Sequence, residues 1–182
     1  MMDLEAKLGS ALADKIRKVN VLILDVDGVL TDGRIVIGDD GQETKCFHVR
    51  DGHGLKMIQR AGVEVMFLTG RKSRVVEHRA RELGVQRVYQ GALDKLAVFE
   101  EILKTRGLGA GQVAYMGDDI VDLPVLRRAG FSVTVSDAHE EVLRAVDLVT
   151  QNPGGGGAVR EVCEMILKVQ GKWEDAMGRY RA

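Results

Sequence analysis

Residues 21–33 read VLILDVDGVLTDG, a run of four apolar residues that ends directly on Asp25 and Asp27. A short, unbroken apolar run is what a parallel strand buried on both faces requires, so these two carboxylates leave such a strand at its carboxyl end. Comparable runs recur at 63–68 and 113–116. Between and after them, Leu55, Ile58 and Ala61, then Leu96, Phe99, Ile102 and Leu103, then Val142, Leu143 and Val146 follow helical spacing rather than a period of two. Gly62, Gly84, Gly107 and Gly130 stand where each helix would close in the left-handed conformation before the next strand. Strand and helix in alternation with short joints predict an α/β fold built on a doubly wound parallel sheet.

One segment breaks the alternation. Residues 34–37 and 43–49 flank Gly38-Asp39-Asp40-Gly41 and predict a β-hairpin flap directly after the first strand. A flap there stands over the carboxyl end of the sheet, where open α/β folds bind their ligands. At the start of the chain, Leu4, Leu8, Leu12 and Ile16 form one stripe of an amphipathic helix within residues 1–19. Near the other end, Pro153 and the run Gly154 to Gly157 precede a predicted helix over 158–169, so residues 153–182 form a glycine-rich tail with a C-terminal helix. No linker divides the 182 residues, which read as one domain with one core.

Composition narrows the partners. Twenty-six basic residues balance twenty-seven acidic ones, so no overall field recruits nucleic acid or a membrane surface. Cys46 and Cys163 belong to no CxxC pair, which argues for two reduced thiols in a cytoplasmic protein rather than zinc or a disulfide. The apolar runs are too short to span a bilayer as helices.

The chemistry gathers at strand ends. Asp25 and Asp27 follow one buried strand, and Gly117-Asp118-Asp119 follows another, with Asp122 one helical turn further on. Carboxylates packed this way repel, and one takes up a proton unless a cation offsets them. Oxygen ligands without a histidine or cysteine pair favour magnesium over zinc. Thr69, in Thr69-Gly70-Arg71, places a hydroxyl at the end of a third strand, and Lys95 opens a helix behind the N-cap Asp94.

In chain order these signals are DVDGV, LTGR, ALDK and GDDIVDLP, and the sequence resembles the haloacid dehalogenase superfamily of phosphatases. DVDGVLTDG, FHVRDGHG, LTGRKS and GDDIVDLP are similar to its small branch that contains 3-deoxy-D-manno-octulosonate 8-phosphate phosphatase, and the resemblance runs from about residue 21 to residue 162. It implies a Rossmann-like sheet of the haloacid dehalogenase type with a hairpin flap and no large cap domain. It also implies Asp25 as nucleophile, Asp27 as acid and base, Thr69 and Lys95 on the phosphoryl oxygens, and Asp25, Asp27, Asp118 and Asp119 around Mg2+. The implied substrate is a small-molecule sugar-acid phosphate on the route to lipopolysaccharide, and the implied assembly is a homotetramer.

Substrate choice falls to positions near the flap: His48, Arg50, Asp51, Gly52, Lys56, Arg71 and Arg79, with Asp27 and Lys95 at the phosphate. An arginine fork suits a planar carboxylate. A nine-carbon sugar-acid phosphate presents the same groups and is the nearest alternative substrate. Two non-enzymatic alternatives are a phosphoacceptor receiver domain and an interaction subunit. The receiver is disfavoured because here the second acidic cluster follows the lysine, and the subunit because the constellation is intact.

Overall fold

The structure, a computed structural model, describes residues 8–181. Six strands form one parallel sheet: β1 (Val21–Leu24), β4 (Glu64–Thr69), β5 (Arg87–Gln90), β6 (Val113–Met116), β7 (Phe131–Thr134) and β8 (Leu148–Val149), in the order β5-β4-β1-β6-β7-β8. The chain moves outward from β1 through β4 to β5, then returns across β1 to place β6 on its other side. That reversal makes the crevice between β1 and β6 the topological switch point, the ligand site of open α/β sheets.

Both faces are covered, which is why the strands read as continuous apolar runs. Leu22 and Leu24, Val65 and Phe67, and Ala114 and Met116 point to one face. There they meet α1 (Ser10–Arg17), α2 (Val49–Arg60), α3 (Arg74–Leu83) and α7 (Ala158–Val169). Val21 and Ile23, Met66 and Leu68, and Val113 and Tyr115 point to the other. That side is covered by α4 (Lys95–Arg106), α5 (Leu123–Leu126) and α6 (Glu140–Leu143), and a last short helix, α8 (Trp173–Gly178), follows α7. Among the described residues no helix is long and apolar enough to cross a membrane.

The details depart from expectation in three places. The first is the N-terminal helix: α1 begins only at Ser10, so Leu8 precedes it and Leu4 lies outside the described residues; the stripe still packs on the body as expected, with Ile16 fully buried and Leu8 and Leu12 partly against the same core. The second is the flap, whose strands are only β2 (Val36–Ile37) and β3 (Glu43–Thr44), because the chain turns inward at Lys45 and Val49 already begins α2. The third is Gly130, which does not take a positive φ as Gly62, Gly84 and Gly107 do. Its glycine is needed for close approach instead, since a Cβ there would sit 2.5 Å from the Gly111 Cα.

The glycine-rich tail packs on the loop that follows β1. Gly155 N donates to the Val29 carbonyl at 3.0 Å. A Cβ on Gly154 would lie 1.8 Å from the Gly28 carbonyl oxygen, which is backbone and cannot swing aside. Gly154→Ala should therefore lower stability by about 1–3 kcal/mol or more, the cost of overpacking. A urea-denaturation midpoint checks this, with Gly178→Ala, which meets open space, as the control expected to shift little.

Candidate active site at the carboxyl ends of β1 and β6

Register brings the acids together. Leu24 pairs with Phe67 on one side and Met116 on the other, so Asp25, Thr69 and Asp118 leave the sheet at nearly one level. Asp25 N donates to the Met116 carbonyl at 2.9 Å, extending the ladder one residue and fixing where its carboxylate begins. Thr134 Oγ1 donates to the Gly117 carbonyl at 2.7 Å, and His139 N to the Asp118 carbonyl at 2.9 Å, which pins the second acidic loop.

One carboxylate oxygen from each of Asp25, Asp118 and Asp122 lies within 4.8 Å of the other two. Lys95, at the first turn of α4, reaches into this cluster, with Nζ 2.6 Å from Asp122 Oδ1 and 3.0 Å from Asp25 Oδ1. Asp94 caps that helix by accepting from Ala97 N at 3.0 Å, as its position before Lys95 predicts. Burial opposes the charge on Lys95, but Asp25 and Asp122 outweigh it and raise its pKa, so it stays an ammonium.

Asp122 holds the cluster in place. Its Oδ1 accepts from Lys95 Nζ and, at 2.5 Å, from the Tyr115 hydroxyl; its Oδ2 accepts from Asp118 N at 3.2 Å and Asp119 N at 3.3 Å. Four donors occupy the roughly four lone-pair sites of an ionised carboxylate, so Asp122 positions its neighbours rather than offering a free oxygen. Asp119 accepts from Ile120 N at 2.7 Å and caps the short 3-10 turn at Ile120–Asp122; it is exposed and is not one of the trio.

A hard divalent cation fits the remaining oxygens. Asp118 Oδ1 is buried with no hydrogen-bond partner, as a ligand oxygen would be. Gly28, at φ 96, leaves space for the same side chain, since a Cβ there would sit 2.0 Å from Asp118 Oδ2. Asp25 and Asp118 are thus the side chains that would hold such an ion, by the all-oxygen preference of magnesium.

The substrate-side residues are dispersed. Asp27 is bonded by Lys45, with Arg71 Nε 3.8 Å from its other oxygen, and Arg71 Nη2 donates to Glu43 Oε1 at 3.0 Å. Thr69 is buried at the end of β4, its Oγ1 accepting from Arg71 N at 3.4 Å. Asp51 accepts from Gly157 N at 3.3 Å and Arg160 N at 2.7 Å, so both of its oxygens cap the start of α7. His48 Nδ1 lies 4.0 Å from Asp51. Gly52 makes room for Arg79, whose guanidinium stacks over Phe47 at 5.5 Å and donates to Glu82 at 2.8 Å. Arg50 is exposed at the start of α2, and Lys56 borders a surface cleft beside Gly84 at the far end of α3. The fold therefore gathers Asp25, Asp27, Thr69, Arg71, Lys95 and Asp118, and commits Asp51, Gly52 and Arg79 to packing. Glu43, Lys45 and Tyr115 join the site without a signal in the motifs, Tyr115 being hidden in an apolar strand.

Fold and site define a class, the haloacid dehalogenase-like hydrolases, and residues 85–162 match that family. Over 174 residues, 94% of this chain and 93% of the relative, the sequence is 45% identical to the 3-deoxy-D-manno-octulosonate 8-phosphate phosphatase KdsC of Escherichia coli. The chain belongs to this phosphatase family. Its fold matches, with a TM-score of 0.91 and 39% identity, the 3-deoxy-D-manno-octulosonate 8-phosphate phosphatase of Moraxella catarrhalis solved with a magnesium ion, a phosphate ion and a KDO molecule, covering 93% of this chain and 97% of that one. The cobalt-bound deoxy-D-mannose-octulosonate 8-phosphate phosphatase of Haemophilus influenzae matches with a TM-score of 0.84 and 43% identity, covering 87% of this chain and 93% of the other.

Burial, then the charge of Asp122, pushes Asp25 up to about 7 against the pull of Lys95. Burial, then Asp25 and Asp122, pushes Asp118 up to about 8. A carboxyl whose folded pKa is raised holds its proton more tightly when folded, so the stability this contributes is present at low pH and lost as pH climbs through the folded value. The metal-free protein should accordingly melt lower at about pH 8 than at about pH 5, with magnesium restoring more at the higher pH. Calorimetry at both pH values, with and without magnesium, checks this; a melting temperature that rises with pH without the ion would contradict it.

Proposed function

We propose that the protein is a magnesium-dependent phosphatase that hydrolyses 3-deoxy-D-manno-octulosonate 8-phosphate to the free sugar acid and phosphate through an aspartyl-phosphate intermediate. The observation that carries this reading is the convergence of Asp25, Asp118 and Lys95 at the switch point, in a chain whose relatives carry that activity in their names.

The chain's own groups account for each step. A carboxylate oxygen of Asp25 attacks phosphorus as the bond to the sugar oxygen breaks, and Asp27 gives that departing oxygen its proton. Water then attacks the phosphorus of the aspartyl phosphate while Asp27 takes its proton back, releasing phosphate and restoring Asp25. Lys95 and the Thr69 hydroxyl meet the phosphoryl oxygens, where charge builds in the transition state. Asp25, Asp118 and the main-chain carbonyl of Asp27 would hold magnesium, which would neutralise charge on the phosphoryl group, and Asp119 caps the turn that follows Asp118 and so keeps that loop in place.

Arg71 is the basic group best placed for the sugar-acid carboxylate, because it is half-exposed beside Asp27. Arg50 adds a second charge near the flap. Ile35, Val36 and Ile37 are exposed on the flap, which supports assembly as a homotetramer with the flap covered by another copy. The free cysteines Cys46 and Cys163 support a cytoplasmic setting for the reaction.

Phosphate release from eight- and nine-carbon sugar-acid phosphates, and from sugar phosphates lacking a carboxylate, tests the assignment. The eight-carbon acid should be preferred; preference for a phosphate without a carboxylate removes the substrate while leaving the chemistry. Asp25→Asn should abolish turnover, and Asp27→Asn should slow it by about 10²–10⁴-fold, the usual contribution of a positioned acid. Sedimentation of the purified protein tests the tetramer.

A further inference from the structure

The flap is nearly all exposed, Val36 at 51% and Ile37 at 61%, yet the side chain of Lys45 directly after it is 0% exposed. Lysine is almost never fully buried unless its charge is paired. Here the pairing is with the site itself. Nζ bonds Asp27 Oδ1 and lies 3.2 Å from Glu43 Oε1; Glu43 accepts from Arg71, and Arg71 returns to within 3.8 Å of Asp27 Oδ2. Two acids and two bases thus alternate around a closed ring, and each oxygen of Asp27 faces a different cation. The flap strands pair only with each other and make no ladder with the central sheet. This charged contact therefore links the flap directly to the group that hands over protons.

We propose that Lys45 is a positioning residue for Asp27: the flap, through Lys45, holds the carboxyl of the acid/base in the orientation that serves the leaving group. The proposal rests on Asp27 being the acid/base. Lys45 itself need not touch substrate. Its effect should be felt where proton donation matters most, in the departure of a sugar alkoxide, and least where the leaving group departs without a proton, as p-nitrophenolate does.

The experiment is single-turnover release of the leaving group from 3-deoxy-D-manno-octulosonate 8-phosphate and from p-nitrophenyl phosphate, in wild type, Lys45→Met, Lys45→Arg and Asp27→Asn. Lys45→Met should lose at least about tenfold more rate on the sugar-acid phosphate than on the aryl phosphate, within the range expected of general acid catalysis. Lys45→Arg, which keeps the charge, should recover most of that difference. A merely structural lysine would slow both substrates alike, and the aryl rate reports a folded site in the same sample. Equal losses in Lys45→Met beside a selective loss in Asp27→Asn overturn the role of Lys45 alone. Equal losses in Asp27→Asn overturn the assignment of Asp27, and this proposal with it.

Discussion

Asp122 is the carboxylate on which the site is hung. It is fully buried and accepts from an ammonium, a phenol and two main-chain amides. Through Lys95 it fixes a positive charge against Asp25, and through the amides of Asp118 and Asp119 it fixes the loop that follows β6. Three carboxylates, Asp25, Asp118 and Asp122, then face one ammonium, which leaves two negative charges uncompensated when all are ionised. Two uncompensated charges in a poorly solvated crevice favour either protons or a dication. The raised pKa values of Asp25 and Asp118 are the proton side of that choice.

The sheet makes such crowding possible. Placing β6 beside β1 sets two acidic strand ends next to each other, while glycines remove the side chains that would collide. Gly28 gives way to Asp118, and Gly117 gives way to Asp122, whose carboxyl carbon a Cβ would meet at 2.4 Å. The apolar layers on both faces keep water from diluting the charges, so small displacements of a carboxylate alter its interactions strongly.

Much of this was legible because strand ends write themselves into sequence. The runs ending at Asp25 and Asp118 are continuous and branched, so the strands and their terminal acids could be read together, and the cap at Asp94 pointed Lys95 in the right direction. Edge strands were harder. Every residue of β5 is only half-buried and β8 has two residues, too little for a pattern. Long-range contacts left no trace: Asp51 caps a helix more than a hundred positions away, and nothing in DGHG reveals that. Lys45 and Glu43 sit in the polar stretch 38–45 of the hairpin, whose composition matches any solvated loop, and only the folded chain shows one side chain turned inward. Tyr115 was masked by its strand, where a phenol reads as another apolar residue.

The contact between Gly154 and Gly28 has a consequence for how the molecule comes into being. Every side chain assigned to the phosphoryl group is synthesised before residue 123, but the roof of the Asp25 loop arrives only with residues 153–157. On the ribosome, therefore, these side chains emerge before the backbone segment that packs against the loop after β1, and that loop gains its support from residues 153–157 only afterwards.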